Sequence, residues 1–320
     1  MVTLSACKVI FSSIISWLRA VLLLESISII SCLAGVFRLF TFQIFANIVK
    51  LSFFSVIHMD HPTDYIAVFI IVIIIYGIVL YRKTFRKHPA VPEIALHQLL
   101  TMHVAFYRSL PAARKQEFVA RINSFLADVN IINVDRQPVN ELDRALVGAS
   151  AIIPIFNFPG WKYNNISEVL LYPDRFNTSY QTQGELRNIL GMVGTGHLHH
   201  SMLLSRPALR EGFRPEATTN TGIHEFVHLI DMADGSTDGV PGFLIPRELV
   251  RPWMEILYAT IQQIKDNDSG IRPYAAVNEA EFLSVVSEYF FTRPQDLRNE
   301  HPALYEMLEK IYNPTPAQKK

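Results

Sequence analysis

Residues 221 to 235 read TGIHEFVHLIDMADG and set two histidines, His224 and His228, four positions apart, with Glu225 directly after the first. On a helix, positions i and i+4 differ by about 40° in direction and rise about 6 Å, so the two imidazoles project side by side and can share one metal ion. Glu225 points about 100° away from His224, where it can reach a metal-bound water rather than the metal. Zinc lowers the pKa of such a water towards about 7, and a neighbouring carboxylate can take the proton as the oxygen attacks a carbonyl. The spacing therefore suits metal-assisted hydrolysis. In a chain of 320 residues with 11 histidines, composition alone would produce this pattern with a probability of roughly 0.02. The competing reading is a solvated amphipathic helix with two ordinary histidines. Against it, Phe226, Val227, Leu229 and Ile230 make the segment apolar nearly all round, hence buried, and buried histidines require partners.

A catalytic zinc usually takes three protein ligands, so a third must come from elsewhere. Both cysteines, Cys7 and Cys32, precede Arg82, which leaves histidine, carboxylate and carbonyl donors for the rest of the chain. No histidine follows His228 within six residues, so the route left is a carboxylate on a later helix. In NEAEFLSVVSEYFF the candidates are Glu279, Glu281 and Glu288. At about 100° per residue, Glu281 and Glu288 lie within about 20° of one another, at the edge of the apolar arc of Phe282, Val285, Val286 and Tyr289. Glu279 falls elsewhere. Spacing leaves Glu281 and Glu288 unresolved, and either could simply make an ordinary buried hydrogen bond.

The elements that must position these residues begin near Pro89. PEIALHQLLTMHVAFYRSL and ARKQEFVARINSFLADV space their apolar residues three and four apart and predict an amphipathic helical pair. NELDRALVGASAII predicts a third helix, FPGWKYNN a loop, and SEVLLYP and HSMLLS short strands. After the motif helix come IPRELVRPWMEILYATIQQIKDN, NEAEFLSVVSEYFFTRP and PALYEMLEKIY, all helical. The expected fold is α+β, a helix-dominated domain with one small sheet over residues 89–312, followed by a polar tail at 313–320. SMLLS reads either as an edge strand able to pair with an extended substrate or as a core strand. His197 to His200, HLHH, read as a solvated turn, because consecutive strand residues alternate faces and converge poorly on one ion. Asp231 lies on the His228 side of its helix, either to orient a ligand or to close the helix end with Asp234 and Gly235. Arg108, Arg114, Lys115 and Arg121 read as solvated charges on outer helix faces. With 29 basic and 29 acidic residues, the chain carries no charge excess that points to nucleic acid.

Residues 65–81, YIAVFIIVIIIYGIVLY, carry no charge, and Arg82, Lys83, Arg86 and Lys87 come directly after them. The run meets the lower length limit for a hydrocarbon core of roughly 30 Å, and the basic flank places the downstream chain in the cytoplasm. The expectation is a transmembrane helix anchoring the chain in the cell (inner) membrane. Residues 1–58 are apolar but interrupted by Arg19, Glu25, Arg38 and Lys50, so they read as poor spans, membrane-surface helices or translation upstream of an initiator at Met59.

Between Ile152 and Pro294, five segments in order, SEVLLYPDRF, GIHEFVHLID, DGVPGFLIPRE, YAAVNEAEF and SEYFFTRP, resemble the zinc peptidases typified by Mlc titration factor A. The resemblance implies a gluzincin-type, zincin-like metallopeptidase that hydrolyses peptide or protein substrates. His224, His228 and Glu281 would bind Zn2+, with Glu225 as general base. Tyr274 would lie over the site and help hold the oxyanion, with Glu288 in support. It also implies an alternative role, a binding protein that sequesters a transcription regulator, here at the membrane. The chain departs from the family in placing Met202 where a tryptophan is usual, and in its apolar N-terminal region.

Overall fold

The computed structural model describes residues 72, 74–77, 91–177, 180–181, 189–194 and 200–314. The chain divides into two units, Met1–Arg86 and Lys87–Lys320. In the first, residues 72 and 74–77 are helical, with Val72, Ile74, Ile75 and Tyr76 exposed. The rest of the expected membrane segment, residues 1–58 and most of HLHH lie outside the described residues. No helix among the described residues is long and apolar enough to cross a membrane.

The second unit is the expected helix-rich α+β mixture with a single four-stranded sheet. Its first helical stretch is broken in two, α1 (Glu93–His103) and α2 (Ala105–Ser109), because Val104 adopts an extended conformation (φ −112°, ψ 103°). The break turns Val104 and Tyr107 into the core, and Arg108 donates to the Thr101 and Met102 carbonyls at the end of α1. α3 (Ala112–Asp128) buries Phe118, Val119, Ile122, Phe125 and Leu126 along one face. α4 (Glu141–Ile152), capped by Asn140, is buried almost throughout. Two more of the charges expected on outer faces are engaged besides Arg108: Arg121 is partly buried and donates to the Phe156 carbonyl, and the Arg114 guanidinium lies 4.2 Å from the centre of the Phe156 ring. Both arginines tie α3 to the turn after α4, and their alkyl stems cover apolar surface while the heads reach polar partners.

The strands are β1 (Asn130–Asn133), β2 (Glu168–Tyr172), β3 (Gly191–Val193) and β4 (Ser201–Ser205), in spatial order β1-β2-β4-β3. β1, β2 and β4 run parallel, whereas β3 is antiparallel to β4 with Met192 opposite Leu203. SMLLS is therefore an interior strand, buried at every position, and β3 forms the edge. A strand paired on both sides and covered on both faces reads as an unbroken apolar run, and Met202 to Leu204 is one. His200 sits at φ 68° in the turn before β4.

A short helix α5 (Arg206–Glu211) leads into α6 (Thr221–Asp231), which carries the histidines. α7 (Arg247–Lys265), a 3-10 turn at Pro273–Ala276, α8 (Glu279–Thr292), α9 (Pro294–Glu300) and α10 (Pro302–Tyr312) complete the unit. α6 and α8 pack together through the middle of the core, and the 3-10 turn lies against α8.

Gly239 fixes the loop between α6 and α7 to the start of α8. Its φ is 71°, a region costly for other residues, and a Cβ there would overlap the Glu279 carbonyl. Its N–H donates to Asp231 and its carbonyl accepts from the Trp253 indole at 2.7 Å. Gly239→Ala is expected to cost on the order of 3 kcal/mol and to displace the first turn of α8. Denaturant unfolding checks it, and a variant as stable as the unaltered chain would show that the loop does not hold α8.

Candidate metal centre

α6 starts at Asn220, whose side chain accepts from the Ile223 N–H, and it ends in the 3-10 turn Met232–Asp234 before Gly235 (φ 94°). Its flanks bury Phe226, Val227, Leu229 and Ile230 completely or nearly so, which orients the helix and turns His224 and His228 towards α8. α8 starts at Asn278, whose side chain accepts from the Glu281 N–H, so Glu281 sits in the first turn.

His224 Nε2, His228 Nε2 and Glu281 Oε2 come together. The edges of the triangle are 3.2 Å between the nitrogens, 3.1 Å from His224 to Glu281 and 3.4 Å from His228 to Glu281. Ligand atoms about 2.0 to 2.1 Å from a tetrahedral ion stand roughly 3.3 Å apart, so the donor set matches one face of a zinc coordination sphere in size and in type. Among the described residues this is the one group of three or more such side chains close enough to hold a metal ion. All four groups expected at the site from their spacing, His224, Glu225, His228 and a glutamate of α8, lie in this region.

The two glutamates that spacing left open occupy opposite sides of the same imidazole. Glu281 faces Nε2 of His224, whereas Glu288 Oε2 lies 3.3 Å from its Nδ1. Glu288 is almost fully buried; it also accepts from the Asn220 N–H at 2.6 Å and from Arg272 at 2.6 Å. Only Glu281 also approaches His228. Tyr274, half-exposed on the 3-10 turn, donates to Glu281 Oε1 at 3.0 Å, and its ring centre is 6.1 Å from that of His224.

The electrostatics favour a cation at this point. Burial alone would lower the His224 pKa, but hydrogen bonds to Glu281 and Glu288 overturn that and push it up to about 10. Burial acts to raise Glu281, yet hydrogen bonds from the two histidines hold its carboxyl well below the usual range. His224 would have to give up its Nε2 proton to hold a metal ion there. Burial pushes Glu225 up, against the pull of both histidines, and burial with the Glu281 charge pushes the Tyr274 phenol to about 12. Asp231 does not orient a histidine. One of its oxygens accepts from the Gly239 N–H, the other is buried without a partner, and burial pushes the carboxyl to about 7.

A family model described as "Glucose-regulated metallo-peptidase M90" matches residues 79–313. The chain belongs to this family. The M90 chain is 27% identical to an uncharacterized protein of Synechocystis sp., over 76% of its own length and 95% of that protein's. It is 25% identical to the Mlc titration factor A of Pectobacterium atrosepticum, over 69% of its own length and 86% of the relative's. The figure is also 25% for the Mlc titration factor A of Serratia proteamaculans, over 65% and 82%. The matches support the family resemblance seen in the motifs around the M90 site.

Three further residues shape the M90 site and carried no chemical pattern of their own. Asn220 caps α6 with its side chain and gives its N–H to Glu288. Gly191, on β3, lies so close to Glu225 that a Cβ would overlap the carboxylate. Arg272 reaches Glu288 from 16 residues away, a pairing that only the packing of the 3-10 turn on α8 creates.

Proposed function

We propose that this M90 protein is a zinc-dependent peptidase in which His224, His228 and Glu281 hold the metal. The observation that carries the reading is the triangle of two imidazole nitrogens and one carboxylate oxygen, with edges of 3.1 to 3.4 Å. Zinc held there would supply Lewis acidity, polarising a peptide carbonyl and making a neighbouring water more acidic. Glu225, beside the cluster and buried, takes the proton from the attacking water and hands it to the departing amine. Tyr274, a phenol that stays protonated, turns its O–H from Glu281 to the oxyanion as charge develops. Among the described residues β3 is one of the two outer strands and Gly191 brings its backbone against Glu225, so an extended peptide adding to that edge would run past the base.

The uncharged run 65–81 and its basic flank support an anchor that holds the catalytic unit at the cytoplasmic face of the membrane. The relatives' name, Mlc titration factor A, supports a second role, binding of a transcription regulator. The test is metal analysis and a peptide-library digest on the full chain, purified from the membrane fraction without added metal. We expect about one zinc per chain, with cleavage that a chelator abolishes and zinc restores. Cleavage that survives chelation, or a chain that binds no zinc, would sink the reading, and recovery from the soluble fraction alone would remove the anchor.

A further inference from the structure

We infer that Arg272 is a positioning residue for the metal centre, holding Glu288 against Nδ1 of His224 and anchoring the segment that carries Tyr274. The inference rests on the zinc-peptidase reading and extends it to a residue remote from the ligands in sequence.

An imidazole that offers the Nε2 lone pair to a metal must carry its proton on Nδ1, and a carboxylate at Nδ1 selects that tautomer and sets the ring's orientation. Glu288 stands there, at 3.3 Å. Its side chain is 3% exposed, and Glu225 and Glu281 are close by, so a carboxylate there needs a countercharge and fixed donors to hold its place. Arg272 supplies the countercharge, 2.6 Å from the same Oε2 that faces the imidazole, while the Asn220 N–H satisfies Oε1. The Arg272 side chain is 43% exposed, so the pair links the buried carboxylate to the surface.

The same guanidinium acts on Tyr274. Arg272 precedes the 3-10 turn Pro273–Ala276, and Pro273 restricts the backbone between it and Tyr274. Ile271 and Ala275 are buried on either side, which anchors the segment's fold without the arginine. What Arg272 adds is a fixed attachment, two residues from the phenol, to the carboxylate behind a metal ligand. Ligand orientation and the oxyanion donor thereby share one support.

The test measures zinc affinity of the full chain by competition with a chelating dye, kcat and KM on a peptide substrate, and thermal unfolding of the metal-free protein. For Arg272→Gln we expect zinc affinity to fall about 10- to 100-fold and kcat to fall with KM nearly unchanged. Metal-free stability should fall modestly, by far less than the loss of zinc affinity. Arg272→Lys keeps the charge and should recover most of the lost affinity, a rescue that a purely structural role would not show. Histidine-selective NMR should detect a protected Nδ1–H on His224 in the unaltered protein that exchanges freely in Arg272→Gln. The inference is overturned if Arg272→Gln binds zinc and turns over as the unaltered chain does, or if its losses follow metal-free stability and lysine rescues nothing. Absence of zinc from the unaltered chain is a different failure: it would overturn the proposed function itself.

Discussion

Glu225→Gln should leave the metal in place and lower peptide hydrolysis by about a hundredfold to ten-thousandfold, the range a positioned general base contributes. Glutamine matches glutamate in size and shape, which matters because the backbone at Gly191 presses directly on this side chain. Glu225 is not one of the three groups whose donor atoms converge, so zinc content should be that of the unaltered protein. What glutamine lacks is a site for the water's proton. Burial raises the proton affinity of Glu225, and a base poised nearer neutrality transfers protons more effectively in both directions than a solvated glutamate. Zinc analysis and kcat on one preparation decide the matter, and an unchanged kcat would remove Glu225 from the mechanism. The same variant separates the two proposed roles, because capture of a transcription regulator does not need the base and should survive.

The second large effect is a contrast between two glutamates on one helix. Glu281→Gln is expected to lower zinc affinity more than about a hundredfold, beyond the range typical of residues that only support a ligand. It removes the oxygen that lies within 3.4 Å of both histidine nitrogens and leaves an amide, a weak metal ligand. Glu288→Gln should lower zinc affinity less, by about 10- to 100-fold, and should also weaken the fold. It withdraws a carboxylate that accepts from Asn220, Arg272 and His224 in a buried position, at a cost of roughly 1 to 3 kcal/mol. Part of the Arg272 pairing is discounted because that guanidinium is solvated on one side. Zinc affinity and denaturant unfolding of the two variants check this. If Glu288→Gln empties the site while Glu281→Gln retains zinc, the ligand assignment is reversed.

Much of the architecture was legible because local rules and tertiary packing agree. α3, α4, α7, α8 and α10 follow the 3.6-residue apolar period, and Asn140 marks a start by its capping role. The failures share a cause. The break at Val104 turns on where Tyr107 and Arg108 find partners, and β1 and β3, at four and three residues, are too short to show a period. SMLLS could be placed neither at the edge nor in the middle of the sheet, since an apolar pentapeptide looks the same until β3 pairs beside it.

By itself, the sequence determined that His224 and His228 share a helix face with Glu225 next to them, because helix geometry and flanking apolar residues leave no other arrangement. It also pointed to a carboxylate as the third ligand, since no thiol is available after Arg82 and no histidine follows His228 within six residues. Helical periodicity put Glu281 and Glu288 on one face and could go no further. The packing of α8 on α6 sets them apart. The His224 ring lies between the two carboxylates, and only the one on the Nε2 side also meets His228. A side chain's direction along its own helix is set by local bonds, whereas which nitrogen it meets on a neighbouring helix depends on how the two helices cross in the folded core.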